Sequence, residues 1–162
     1  MLIDEEKALL TETETEAITA IAGRYEKRPG AAIEALREIQ RLHGWISDED
    51  LCAIARLLGL SPDELESVAT FYNLVFRQPV GRHVVLLCDS VSCWIMGCEA
   101  VRERLESRLG ARLGQTTADG RFTLLPIVCL GACDHAPAMM VDENLHGDLD
   151  PDRLDEILDL YG

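Results

Sequence analysis

Between Ile18 and Tyr72 the apolar positions recur every three or four residues, the spacing that places side chains on one face of a helix. Thr13 and Glu16 fit a capping box, followed by Ile18, Ile21, Ala22 and Tyr25. Pro29-Gly30 breaks that helix. The next seam is Ala32, Leu36, Ile39 and His43, with Gly44 placed to end it as the residue after the C-cap. Ser47 with Asp50 caps a third helix bearing Leu51, Ile54, Ala55 and Leu58, and Gly59 lies at its end. Ser61, Pro62 and Glu64 supply a cap, a proline at the first helical position and an acid two residues on, ahead of Leu65, Val68, Ala69 and Tyr72. Four short amphipathic helices with short connections predict a small bundle over residues 1–79. Phe71 and Tyr72 are expected in its core.

The period changes after Gln78-Pro79-Val80-Gly81. His83 to Cys88 is a β-rich apolar run. Cys98, Val101, Leu105 and Leu109 then repeat at helical spacing, and Asp119-Gly120 is a hairpin signal. Phe122 to Val128, Ala138 to Val141 and the short Asn144 to Gly147 read as strands. Asp150-Pro151 opens a last helix with Leu154, Ile157, Leu158 and Tyr161. The order β-α-β-β-β-α predicts a small α/β domain over residues 80–162. No internal repeat or low-complexity segment stands out.

Charge narrows the classes. The net charge of −14 excludes nucleic acid, whose phosphates need a lysine and arginine surface, and opposes an anionic membrane surface. Each half carries about −7, so the acids are not one tail, although after Cys133 only Arg153 opposes them. MLIDEEK opens with acids instead of a basic and apolar signal, and the run Val84 to Cys88 is too short to span a bilayer. The chain reads as soluble and made in a reducing cytoplasm, where six cysteines are ligands or core residues rather than disulfides. No nucleophile or acid–base motif is recognisable.

The chemistry lies in two cysteine brackets, Cys88 and Cys93 in CDSVSC and Cys129 and Cys133 in CLGAC, each delivered by a predicted strand. Thiolates select soft centres, zinc or iron–sulfur. Structural zinc takes four tetrahedral ligands, often from paired cysteines. A [2Fe-2S] cluster takes four thiolates, two per iron. The spacing favours the second and leaves the first open; a thioredoxin-type dithiol lacks its CxxC. Cys52 and Cys98 read as packing residues on helices. His135 has no second histidine to make a Rieske pair. His43, His83 and His146 read as structural. The Ser92 hydroxyl, beside Cys93, is a candidate donor to a ligand sulfur.

The segments CDSVSCWIMGCEAV, TTADGRFTLLPIVCLGACDHAPAMMVDE and SVATFYNLVFRQPVGRH together resemble the thioredoxin-like [2Fe-2S] component of respiratory complex I, the E subunit of NADH:quinone oxidoreductases. The resemblance covers nearly the whole chain. It implies a thioredoxin-like [2Fe-2S] ferredoxin domain preceded by a helical bundle, one cluster, and Cys88, Cys93, Cys129 and Cys133 as its ligands. It leaves Cys98 no ligand role. It implies a flavoprotein partner, the F subunit, that holds the FMN and NADH sites, together with other peripheral-arm subunits on the cytoplasmic face of a bacterial inner membrane. The Ala69-Thr70-Phe71-Tyr72 segment would pack near that partner. Small subunits of NAD-dependent formate dehydrogenases and bidirectional hydrogenases share the cysteine pattern and the helical half, and are the alternative within this chemistry. A zinc-stabilised assembly adaptor is the alternative outside it.

Overall fold

Residues 10–162 are described by a computed structural model; the opening MLIDEEK lies outside them. The chain folds as two compact units, parting after Pro79.

The first unit holds α1 (Glu12–Ala22), α2 (Ala32–His43), α3 (Asp48–Leu58) and α4 (Pro62–Phe71), with a turn of 3-10 helix at Arg28–Ala31. Three of the helices open with reciprocal capping boxes. Those at Ser47/Asp50 and Ser61/Glu64 fall where expected. The first is Thr11/Glu14, two residues before the expected Thr13/Glu16. The Thr-Glu repeat offers the box twice, and the earlier start lets Glu14 also reach His43 Nε2, at 2.9 Å. Gly44 caps α2 in the left-handed conformation, φ 84°. Ile18, Leu36, Ile39, Ile54, Leu58 and Leu65 are fully buried in one core, each burial contributing roughly 1.5–3 kcal/mol. After α4 the chain is tied back by polar groups: Gln40 binds Leu74 O and Phe76 N–H, and Arg77 binds Ile46 O, Asp48 and Glu66.

Several expected core residues lie at the surface. Phe71 is 78% exposed and stands edge-on to Tyr72, because the helix ends at Phe71 and the extended Tyr72 leaves its buried face. Tyr25 lies beyond the end of α1 and donates to Glu34. Cys52 is exposed, not buried. The buried stripe of α3 is Leu51, Ile54, Ala55 and Leu58, and a residue one step past Leu51 points about 100° away from it.

The second unit is a five-stranded sheet in the order β2-β3-β1-β4-β5: β1 (His83–Cys88), β2 (Gln115–Thr116), β3 (Phe122–Ile127), β4 (Met139–Val141) and β5 (Asn144–His146). The central β1 runs parallel to β3, and every other pairing is antiparallel. The crossover from β1 contains α5 (Val91–Ile95) and α6 (Cys98–Leu109). Neither α5 nor β2 was expected. The two-residue β2 is too short to show alternation. Pro126 stands within β3 opposite Leu87. The carbonyls of Phe122 and Leu124 accept bonds from the loop on the β2 side, so the missing N–H of Pro126 faces that same side, past the end of β2. Asp150-Pro151 opens a 3-10 turn and then α7 (Leu154–Asp159). Val101 and Leu105 of α6 and Leu154 and Leu158 of α7 pack on Val85, Leu87, Phe122, Leu124, Met139 and Val141.

Candidate metal centre

Parallel pairing decides where the cysteines go. Cys88, the last residue of β1, stands opposite Ile127, the last of β3, so the two neighbouring strands release their brackets at the same end of the sheet. Past β1 the chain turns into α5 with Ser90 as its N-cap, and Cys93 faces inward from that helix. Cys88 and Cys93 are buried; Cys129 and Cys133 are exposed. Cys133 begins a short 3-10 turn.

The sulfurs are set out as two pairs. Cys129 Sγ and Cys133 Sγ are 4.0 Å apart. Two thiolates on one tetrahedral metal, at about 2.3 Å each, stand about 3.8 Å apart, so this pair is already spaced for a shared metal. Cys88 and Cys93 lie close enough for each to shift the other's pKa. The brackets adjoin: Cys88 Sγ lies 4.0 Å from Val128 O, and the backbone of Leu130, between Cys129 and Cys133, lowers the Cys88 pKa. Among the described residues, no three His, Cys, Asp or Glu side chains gather as ligands of a single ion.

Backbone donors converge on these sulfurs. Gly131 N–H donates to Cys129 Sγ at 3.3 Å, from a residue at φ 77°, where a side chain would be strained. Burial raises the Cys88 thiol, but donation from Ser90 N–H, Cys93, Leu130 N–H and the Ser90 hydroxyl outweighs it, and its pKa falls below the ordinary value. Burial, and donation to Cys88, push Cys93 up to about 11, against the opposing N–H of Ala138. Preset N–H donors suit sulfur that carries negative charge, as a metal-bound thiolate does. The donor set and its pairing therefore fit a soft two-metal group.

Other candidates separate from these four. Cys98 is buried at the start of α6 and raised by burial and by the charges of Glu99 and Cys88; it packs beside the first bracket and joins neither pair. His135 is exposed and held by Asp148 at 2.7 Å. His43 binds Asp50 and Glu14, His83 binds Asp142, and His146 binds Tyr161, all structural. The serine that shifts a cysteine of the brackets is Ser90 rather than Ser92. No sequence signal marked it, since α5 itself was not expected: Ser90 is the N-cap of that helix, its hydroxyl makes no capping bond, and it helps lower the Cys88 pKa.

A profile of the thioredoxin-like [2Fe-2S] ferredoxin family matches residues 18–162. The chain belongs to this family. The match begins inside α1, so the family's conserved unit takes in helices and sheet alike. The E subunit of the NADH-quinone oxidoreductase of Pseudomonas aeruginosa is 48% identical over 160 residues, 99% of this chain and 96% of the relative. The protein of the same name from Escherichia coli is 49% identical over 152 residues, 94% of this chain and 92% of the relative. Two crystal structures of NAD+-reducing [NiFe]-hydrogenase share the fold. The H2-reduced form superposes with a TM-score of 0.70 at 26% identity, over 85% of this chain and 23% of the hydrogenase chain. The air-oxidized form gives 0.61 at 28%, over 68% and 19%. The present chain thus spans about a fifth of those chains.

Proposed function

We propose that Cys88, Cys93, Cys129 and Cys133 hold one [2Fe-2S] cluster, each bracket supplying the two thiolates of one iron. The observation that carries this is the parallel β1–β3 pairing, which delivers both brackets to one sheet end. When bound, the cluster supplies a one-electron redox couple. The chain's own residues do the rest. The buried Cys88 and Cys93 keep water from one side, the N–H groups of Ser90, Leu130, Gly131 and Ala138 stabilise thiolate charge, and the exposed Cys129 and Cys133 leave the other side approachable.

The near-full-length likeness to the E subunits of two bacterial enzymes supports an electron-transfer subunit of NADH:quinone oxidoreductase. In this reading it exchanges single electrons with the FMN of the flavoprotein F subunit, and FMN and NADH are held there. Residues 80–162 carry the cluster and residues 1–79 serve docking within the peripheral arm, on the cytoplasmic face of the membrane. No described helix is long and apolar enough to cross one. The hydrogenase structures favour a second reading, the equivalent segment of an NAD-linked hydrogenase. The higher identity supports the first reading: 48% to the oxidoreductase relative against 26–28% to the hydrogenases.

Anaerobic purification with a visible spectrum and iron and sulfide assays tests the ligand set. A coloured protein is expected, perturbed or emptied by serine at any of the four positions and unchanged in Cys52→Ala and Cys98→Ala. A colourless, zinc-loaded protein would overturn the cluster. Loss of iron in Cys98→Ala, with normal iron in one bracket variant, would overturn the ligands.

A further inference from the structure

The face of α5 turned away from Cys93 has no partner within its unit. Val91, Trp94 and Ile95 fall at i, i+3 and i+4, one side of the helix, and Met96 follows them. With Val128, the residue before Cys129, they are between 59% and 73% exposed. The two segments adjoin where Cys88 Sγ, just ahead of α5, lies 4.0 Å from Val128 O. Scattered exposed apolar residues are ordinary, but a cluster of large ones marks an interaction site.

Charge sharpens this. In a chain of net charge −14, residues 90–98 and 128–133 contain no Asp, Glu, Lys or Arg. The charged residues bordering these segments, Asp89, Glu99 and Asp134, are all acidic and exposed. A neutral centre rich in Trp and Met inside a charged border is the composition of a protein interface.

We propose that the outer face of α5, with Val128, is the docking surface for a protein partner that presents an apolar centre and a basic rim. A second copy would set −14 against −14. An anionic bilayer would meet the same acidic border. The fold's occurrence as about a fifth of a longer hydrogenase chain agrees with a protein neighbour. The surface adjoins the exposed Cys129 and Cys133, so the partner docked there is the one that exchanges electrons with this centre. Its identity as the flavoprotein rests on the reading given under Proposed function.

The test titrates the cluster-replete full chain with the purified flavoprotein subunit of the same enzyme. Ile95→Glu and Trp94→Ser should each weaken binding at least about tenfold, with an unchanged visible spectrum. Leu145→Glu, exposed on β5, should leave it within about twofold. Added salt should weaken the wild-type complex. Oxidative footprinting needs no substitution: Met96 and Trp94 should be protected in the complex. Tight wild-type binding with no effect of Ile95→Glu and no protection of Met96 would overturn the surface alone. Failure of the cluster-replete wild type to bind would overturn the flavoprotein as partner, and the docking assignment with it. Self-association abolished by Ile95→Glu, or binding to phosphatidylserine vesicles, would replace the partner protein with a second copy or a membrane.

Discussion

At the scale of single residues, the candidate centre depends on donors as much as on thiols. The Ser90 hydroxyl, free of a capping bond, helps lower the Cys88 pKa, whereas Ser92 is not among the groups that shift Cys88 or Cys93. If Cys88 ligates a cluster, reduction adds negative charge to its sulfur and strengthens the bond it accepts. The donor therefore favours the reduced state. A hydrogen bond of about 0.5–1.5 kcal/mol corresponds, at about 59 mV per tenfold change for one electron, to roughly 20–65 mV. Ser90→Ala should lower the midpoint by that amount with iron content intact, while Ser92→Ala leaves it in place. A redox titration followed by electron paramagnetic resonance reads both. A raised or unmoved midpoint in a cluster-replete Ser90→Ala protein would remove this role.

At the scale of elements, two devices hold parts together. Parallel pairing of β1 with β3 assembles the brackets, and a histidine clamp joins three helices of the first unit. His43 at the end of α2 contacts Glu14 of α1 and Asp50 of α3. Burial lowers the His43 pKa, but its bonds to Glu14 and Asp50 outweigh that and the net shift is upward from 6.5. Thr11 N–H, and then His43, lower Glu14 from 4.5 despite burial. Burial raises Asp50, yet Ser47 and His43 bring it below 3.8. The signs set a window. A raised histidine contributes stability below its unfolded value of 6.5 and loses it as pH rises through the folded one. The lowered carboxylates contribute above their unfolded values and lose it as pH falls. The clamp is therefore strongest between about pH 4.5 and 6.5. Thermal unfolding across pH should show stability falling from pH 6 to 8, and His43→Gln should flatten that fall. An identical slope in the variant would show that other groups set it.

At the scale of the molecule, each unit has a hydrophobic core of its own. Residues 80–162 expressed alone should therefore fold and show the visible spectrum of the full chain. They should bind the flavoprotein more weakly, since the helical unit is assigned to docking. Loss of colour on truncation, with docking retained, would reverse that division. The full chain by itself should not oxidise NADH with an artificial acceptor, and should support the reaction once joined to the FMN-bearing subunit. NADH oxidation by the purified chain would place a flavin site here.

Local chemistry made much of this readable in advance. Ser47/Asp50 and Ser61-Pro62-Glu64 start helices because a cap needs only neighbours along the chain, and both brackets begin at the ends of the strands that the apolar runs predicted. Local signals failed where a competing local choice existed or where packing decided. Thr11 displaced Thr13 because both offer the same box and only the earlier one brings Glu14 to His43. Phe71 and Tyr72 left the core because α4 stops one residue short of carrying Tyr72 on its seam. Cys52, at one helical step from Leu51, followed helix geometry rather than the usual burial of cysteine. Ser90, Leu130, Gly131 and Ala138 act on the sulfurs through backbone and hydroxyl donors whose direction no residue type encodes. The thiol chemistry was written in the sequence by itself. The pairing of those thiols, their donors and the bare apolar face beside them exist only once β1 lies parallel to β3, because that pairing brings together segments about forty residues apart in the chain.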